Sequence, residues 1–220
     1  MVSNVSFTLG PGEMVGLVGA NGGGKTTTLR MLAGLLRPDA GRGQVLGMSV
    51  LGRQRPWHLL GYMAQKTALY GELTVFENLR FRCEAYALAR GSAILAERAM
   101  AAGLEPVLGT RVAHLSGGWA KRVQFVAATL HAPRLLLLDE PTAGLDAVTR
   151  RELWSWIERF AEQGSAVVIS THDLAEAARL ERIVLYRDGT AQAPCAPDEL
   201  LAATGSASLE EAVIKLAGRT

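Results

Sequence analysis

Short apolar runs alternate with amphipathic stretches along most of this chain, and the two periodicities mark strands and helices in turn. Near the start Val5, Phe7 and Leu9 alternate with Ser6 and Thr8, the period of a half-buried strand, and Gly10-Pro11-Gly12 then marks a turn, so a hairpin is expected. Residues 14–18 are continuously apolar, as in a strand buried on both faces. They lead through a glycine-rich loop into the helical stretch TTTLRMLAGLL, which should stop near Gly34 because Pro38 and the run PDAGRGQ read as loop. From Gly71 to Gly103 the pattern is helical without a good strand between, which predicts an inserted helical subdomain. After Gly118 a helix (KRVQFVAATLH) leads to the strand LLLLDE, a helix (TRRELWSWIERFAEQ) to the strand SAVVIS, and a helix (LAEAARL) to the strand RIVLY. The expected fold is α/β: a mainly parallel sheet with helices on both faces, an N-terminal antiparallel β part and the helical insertion. The tail SLEEAVIKLAG sets Leu209, Val213 and Leu216 on one face, as in a helix docked on the core.

Composition narrows this picture. Hydrophobic residues make up 49% of the 220 and charged residues 20%, too apolar and too weakly charged for a disordered chain. The length suits one domain with a subdomain inserted. The formal net charge is +2 and the arginines are scattered in pairs, Arg53 with Arg55 and Arg150 with Arg151, so no nucleic-acid footprint is expected. The longest apolar stretch, counting glycine, runs from Met14 to Ala20, well short of the roughly 18 residues a membrane span needs. The opening MVSNVSFTLG carries neither a basic start nor an apolar block, and the cytoplasm is the expected compartment. Cys83 and Cys195 are far apart and read as packing residues rather than a disulfide or zinc site.

The chemistry concentrates at three strand ends. Residues 19–26 fit G-x-x-x-x-G-K-[ST], the P-loop pattern, between a buried strand and a helix. Gly19, Gly22, Gly23 and Gly24, with Asn21 between them, let the backbone wrap a phosphate chain with its N–H groups inward. Lys25 is placed to bridge the outer phosphates, Thr26 to ligate Mg²⁺, and Thr27 to lie in the first turn of the helix, whose dipole favours the anion. The second strand end is Asp139-Glu140, at the carboxyl edge of a leucine strand, where open parallel sheets bind ligands. Asp139 is a candidate Mg²⁺ ligand and Glu140 a candidate base for the attacking water. The alternative role of Glu140, capping the next helix, can be filled by Thr142 or Asp146. The third is Ser170-Thr171-His172, where an imidazole can reach a terminal phosphate oxygen. His58, His114 and His131 have no such neighbours.

With these residues in place the chain resembles the ATP-binding subunit of ABC transporters. Leu115-Ser116-Gly117-Gly118 followed by Arg122 is similar to that family's signature motif, Gln65 in GYMAQ to its Q-loop, Ala143-Gly144-Leu145-Asp146 to its D-loop, and His172 to its switch histidine. The resemblance implies a P-loop NTPase fold divided into an ATPase core (1–66 and 119–204), a helical subdomain with the signature motif (67–118) and a C-terminal helix (205–220). It implies ATP and Mg²⁺ as cofactors, with Thr26, Asp139 and Gln65 on the metal and Glu140, His172 and Gln65 in catalysis. It also implies a head-to-tail homodimer, or a pseudo-dimer with a paralogous subunit, in which Ser116, Gly117, Gly118 and Asp146 serve the partner's nucleotide. Ser116, Gly117 and Gly118 open a predicted helix, so a hydroxyl, unobstructed N–H groups and a dipole end face a γ-phosphate. The stretch TALYGELTVFENLRF is similar to the region after the Q-loop in subunits that pair with separate export permeases, which places the chain at the inner face of the cell membrane through an integral membrane permease.

Two features depart from the family pattern. Trp119 stands where the family has glutamine, with an effect at the dimer interface or a structural role for its ring as the two readings. The aromatic that stacks on adenine in related subunits is expected ahead of the first strand read here, or another residue serves. The competing functional readings are a soluble ABC-type ATPase acting on ribosomes or DNA, and a P-loop kinase of small metabolites, which leaves the signature motif unexplained.

Overall fold

The computed structural model describes residues 2–52 and 56–217, so Arg53 and Arg55 lie outside the described residues. In chain order the elements are β1 (Met14–Gly19), α1 (Lys25–Leu32), β2 (Gln44–Val45), β3 (Met48–Ser49), β4 (Leu60–Met63), α2 (Val75–Ala85), α3 (Gly91–Ala101), α4 (Gly117–Thr129), β5 (Leu135–Asp139), α5 (Ala147–Glu162), β6 (Ala166–Thr171), α6 (Leu174–Ala177), β7 (Arg182–Arg187), β8 (Thr190–Ala191), α7 (Pro197–Thr204) and α8 (Leu209–Ala217).

Six strands form one sheet in the order β4-β5-β6-β1-β7-β8, parallel except for β8. Because successive side chains on a strand point to opposite faces, the four leucines of β5 serve two cores at once. Leu136 and Leu138 join Val18, Val167, Ile169 and Leu185 beneath α5 and α8. Leu135 and Leu137 join Val15, Leu17, Val168 and Val184 against Leu29 of α1. A strand apolar at every position is therefore what a sheet covered on both sides requires. In α5 the buried residues Leu153, Trp154, Ile157, Phe160 and Ala161 fall on one stripe, the helical period that faces the first core.

The third core lies under the helical insertion, where Val75, Leu79 and Cys83 of α2 and Leu95 and Ala99 of α3 meet Val123 and Val126 of α4. Thr74 starts α2 with a capping box, its hydroxyl accepting from the Glu77 N–H while the Glu77 carboxylate accepts from the Thr74 N–H. At the other end of the first α/β unit, α1 stops as the sequence predicts. Gly34, at φ 72°, donates to Met31 and Leu35 donates to Arg30, the paired bonds of a glycine C-cap. The tail is a docked helix: Leu209 and Ala212 of α8 are buried, and Val213 and Leu216 pack on the first core.

Two local expectations are corrected. Residues 4–9 form no strand and no hairpin with β1: Val5, Phe7 and Leu9 pack against the second core, but beyond a single parallel bridge from Ser3 to Thr190 the segment has no ladder. Alternating side chains find an apolar surface there, yet a strand also needs a neighbour that pairs its N–H and C=O groups along its length. The small antiparallel sheet is instead β2 with β3, joined by Leu46 and Gly47, both at positive φ. The stretch LAEAARL is helical only over α6, because Leu180 donates to Ala177 and Arg179 to Glu176 in tighter i→i−3 turns before β7 begins.

Candidate functional site

The ends of β1, β5 and β6, which are neighbours in the sheet, bring the three motifs together. Gly19 passes so close to the backbone of Tyr186 that a Cβ there would lie 2.4 Å from its carbonyl oxygen, so only glycine lets the loop leave β1 on this path. Gly24, at φ 106°, turns the chain into α1. The loop folds around Lys25, whose ammonium donates to the carbonyls of Gly19 (2.7 Å) and Ala20 (3.0 Å) and lies 3.7 Å from the Glu140 carboxylate. Burial pulls this ammonium below its ordinary value of 10.5, and the charges of Glu140 and Asp139 oppose the shift. Thr27 is half-buried in the first turn of α1, and Asn21 and Gly22 are exposed at the loop's rim.

Asp139 is buried and accepts on Oδ1 from the Thr26 hydroxyl (2.9 Å) and the Ser170 hydroxyl (2.7 Å). A threonine hydroxyl and a carboxylate oxygen at this separation are hard donors of the kind Mg²⁺ takes when substrate phosphates and water complete its shell. Among the described residues no group of three or more His, Cys, Asp or Glu side chains could hold a metal ion. The donor set fits Mg²⁺.

Glu140 stands at the centre. Its backbone is in the left-handed region (φ 47°), held by its N–H donating to the Ser170 hydroxyl at 2.9 Å. Oε2 accepts from the Gln65 amide at 3.0 Å, and Oε1 lies 3.4 Å from Nδ1 of the half-exposed His172. Glu140 does not cap the next helix. Asp146 does so, accepting from the N–H groups of Val148 and Thr149, which together with the Thr149 hydroxyl hold its carboxyl below the usual range.

Ser116, Gly117 and Gly118 lie elsewhere in the chain. Ser116 caps α4 by accepting from the Trp119 N–H, and Ser116 and Gly117 are exposed. Gly118 lies against α5, where a Cβ on it would stand 3.5 Å from Thr149 in the first turn of that helix. None of the hydrogen bonds of the Glu140 cluster includes Ser116, Gly117, Gly118 or Asp146. Trp119 is anchored within the chain: the Arg122 guanidinium lies 5.0 Å over its ring and pairs with Glu152.

Two residues escape a reading of the motifs. Lys121 donates to the backbone carbonyls of Gln65 (2.9 Å) and Glu140 (3.2 Å), clipping the two loops together, and burial lowers its pKa against the pull of Asp139 and Glu140. Gln124, buried in α4, donates to the carbonyls of Ala64 (2.8 Å) and Lys66 (3.1 Å), on either side of Gln65. The one hint in the sequence is a lysine and a glutamine interrupting an otherwise apolar helix face. His131, by contrast, bonds the Leu60 carbonyl and stacks on Tyr86, well away from the motif residues, as expected of an incidental histidine.

A cleft of about 690 Å³ opens beside the loop, walled by residues 19–23, His172, Leu174, Leu185 and Leu216 among others.

A family model described as ABC transporter matches residues 2–143, and a second, described as AAA domain, putative AbiEii toxin, Type IV TA system, matches residues 113–178. The chain is 40% identical over 224 residues to the probable multidrug ABC transporter ATP-binding protein YbhF of Escherichia coli (strain K12), covering 97% of this chain and 38% of that protein. It is 36% identical over 206 residues to the Nod factor export ATP-binding protein I of Paraburkholderia xenovorans (strain LB400), covering 92% and 68%. The chain thus spans about two fifths of the first relative's length. Among solved structures, one described as the ATP-binding subunit of an ABC transporter superposes with a TM-score of 0.86 at 31% identity, covering 98% of this chain and 92% of that one. The dimeric, post-hydrolysis structure of the ATP-binding cassette MJ0796 bound to ADP and Pi superposes with a TM-score of 0.81 at 25% identity, covering 89% and 90%.

Proposed function

This chain belongs to the ABC transporter family, and from that premise we propose that it is an ATP-hydrolysing subunit that powers export through a separate membrane permease by closing as a dimer on ATP. The observation that carries this reading is the Glu140 carboxylate, gathered with Lys25, Gln65 and His172 above the Thr26–Asp139 pair. Glycines and the N-terminus of α1 receive the phosphate chain, and Lys25 exchanges its two loop carbonyls for phosphate oxygens. Thr26, Asp139 and Gln65 would hold Mg²⁺, which would supply positive charge against the phosphate chain. Glu140 takes the proton of the attacking water as the water oxygen bonds to the γ-phosphorus and the bond to the β-phosphate oxygen breaks. His172 donates to a γ-phosphate oxygen and orients that water.

One protomer leaves this site open on one side. The exposed Ser116 hydroxyl and the N–H groups of Gly117 and Gly118 at the start of α4 are the donors a second copy, or a paralogous subunit, would bring to it, with Asp146 beside them. That the MJ0796 cassette with ADP and Pi is dimeric supports pairing with a second copy. Departure of the cleaved phosphate after hydrolysis removes the shared charge and the dimer loosens. We divide the chain into an ATPase core (1–66 and 119–204), a helical subdomain (67–118) and a C-terminal helix (205–220). The permease would dock near Gln65 and the helical subdomain, holding this subunit at the inner face of the cell membrane. The names of the multidrug and Nod factor export relatives favour export. Among the described residues no helix is long and apolar enough to cross a membrane, so the pathway itself would belong to another chain or segment.

Co-expression with the product of the adjacent gene tests the reading. Recovery of a polytopic membrane protein with this chain, and phosphate release from Mg-ATP by the pair, is the expected result. Consistent recovery with ribosomes in place of a membrane protein would overturn the transport assignment.

A further inference from the structure

We propose that Glu176 is a positioning residue for His172, locking the loop that carries the imidazole and tying it to α5, the helix that Asp146 caps. Glu176 is 5% exposed, and among the described residues it has no ion-pair partner. A carboxylate is taken out of water only where directed donors replace its hydration. Two do so here. Oε2 accepts from the Thr171 hydroxyl at 2.8 Å, and Oε1 accepts from the indole N–H of Trp154 at 3.2 Å.

The first bond acts on His172 through the geometry of a hydroxyl. Thr171 and Asp173 flank the histidine, and the Thr171 oxygen also accepts from the Asp173 N–H at 3.0 Å, closing a turn over it. A hydroxyl has one proton and two lone pairs. Once its proton is committed to Glu176, a lone pair must face Asp173, so the carboxylate fixes the rotor that fixes the turn. The second bond reaches α5, whose first residues follow the Ala143–Asp146 turn. A parallel tie runs at the surface, where Arg150 donates to the Leu145 carbonyl at 3.2 Å and lies 3.6 Å from the Asp173 carboxylate. The turn that faces the partner in the proposed dimer and the loop bearing His172 are thereby held by the same helix. The catalytic part of this proposal rests on the role given to His172 above; the positional part does not.

The test uses Glu176→Gln, Trp154→Phe and Thr171→Val, with Thr171→Ser as the conservative variant and the exposed Glu162→Gln as a surface control. In the nucleotide-free full chain the His172 ring resonances should move in the first three and stay in place in Thr171→Ser and Glu162→Gln. In steady-state hydrolysis the same three should lose about tenfold in kcat with the KM for ATP within about twofold, Thr171→Ser should keep wild-type turnover, and Glu176→Gln should cost nothing further in a His172→Ala background. Unmoved His172 resonances, or an equal loss of kcat with and without His172, would overturn the proposal. If Glu176→Gln does not fold, Trp154→Phe and Thr171→Val carry the test. A wild-type protein without hydrolysis would defeat the ATPase reading alone, since the resonances still decide where Glu176 acts.

Discussion

Replacing Glu140 by glutamine removes one negative charge and one proton acceptor while keeping the side chain's size and shape. At 3.7 Å from the Lys25 ammonium and an effective dielectric constant of about 20, the lost attraction amounts to about 4–5 kcal/mol before solvation is counted. The cost of holding a carboxylate at this buried position disappears with the charge, but the Lys25 ammonium loses its buried partner, so the nucleotide-free chain should lose up to about 3–5 kcal/mol of stability. Lys25 keeps its bonds to Gly19 and Ala20, and the Gln65 amide can turn to offer its oxygen to the new NH₂ group. Nucleotide binding should therefore survive within a few-fold. Turnover should not: a positioned base contributes about 10²–10⁴ in rate, or about 3–5 kcal/mol of barrier. With hydrolysis blocked and phosphates still bound, Glu140→Gln should accumulate as a dimer in Mg-ATP and remain monomeric in ADP. Phosphate release and light scattering coupled to gel filtration read the two effects. A kcat within about threefold of wild type refutes the assignment of Glu140 as the base. A protein that binds Mg-ATP but stays monomeric at high concentrations of both refutes the closure mechanism.

Lys25→Ala should weaken nucleotide binding by about 10–100-fold in calorimetry, the worth of one charge-assisted contact to phosphate, and Lys25→Arg should not restore it because the loop closes around a single ammonium. Gln124→Leu strips the donors from the Ala64 and Lys66 carbonyls; we expect a stability loss of about 1–2 kcal/mol in urea unfolding and a fall in kcat larger than any fall in ATP affinity. Tyr186, buried and donating to the Thr28 hydroxyl at 2.9 Å, has its phenol pushed up to about 12 from 10.0 by burial. Its stabilisation is complete below pH 10, where both states hold the proton, and is lost as pH rises toward 12 because the unfolded chain ionises first. About 2–3 kcal/mol should vanish across that window, and Tyr186→Phe should flatten this part of the pH profile.

Much of the site could be read from the chain alone because its parts are local. A loop that wraps phosphate needs glycines at adjacent positions and a helix N-terminus directly behind them, and these are fixed within residues 19–26. A leucine at every position of β5 before its terminal aspartate announces a sheet covered twice, and the acids at its end fall at the ligand-binding edge for the same reason. Periodicity failed where the outcome hung on a partner strand: Val5, Phe7 and Leu9 alternate correctly, but nothing in their own sequence says what their backbone will pair with. The roles of Lys121, Gln124 and Glu176 were hidden for a related reason. Lys121 and Gln124 act on loops brought to them by folding, Gln124 on a segment about sixty positions away, and Glu176, five positions from Thr171, gains its second donor from Trp154 across 22. The meeting of Gln65 with Glu140, 75 positions apart, was foreseen only through family likeness. Short-range sterics and backbone hydrogen bonding write themselves into neighbouring residues. A hydrogen bond between distant loops depends on the order in which strands enter the sheet, and no window of sequence contains that order.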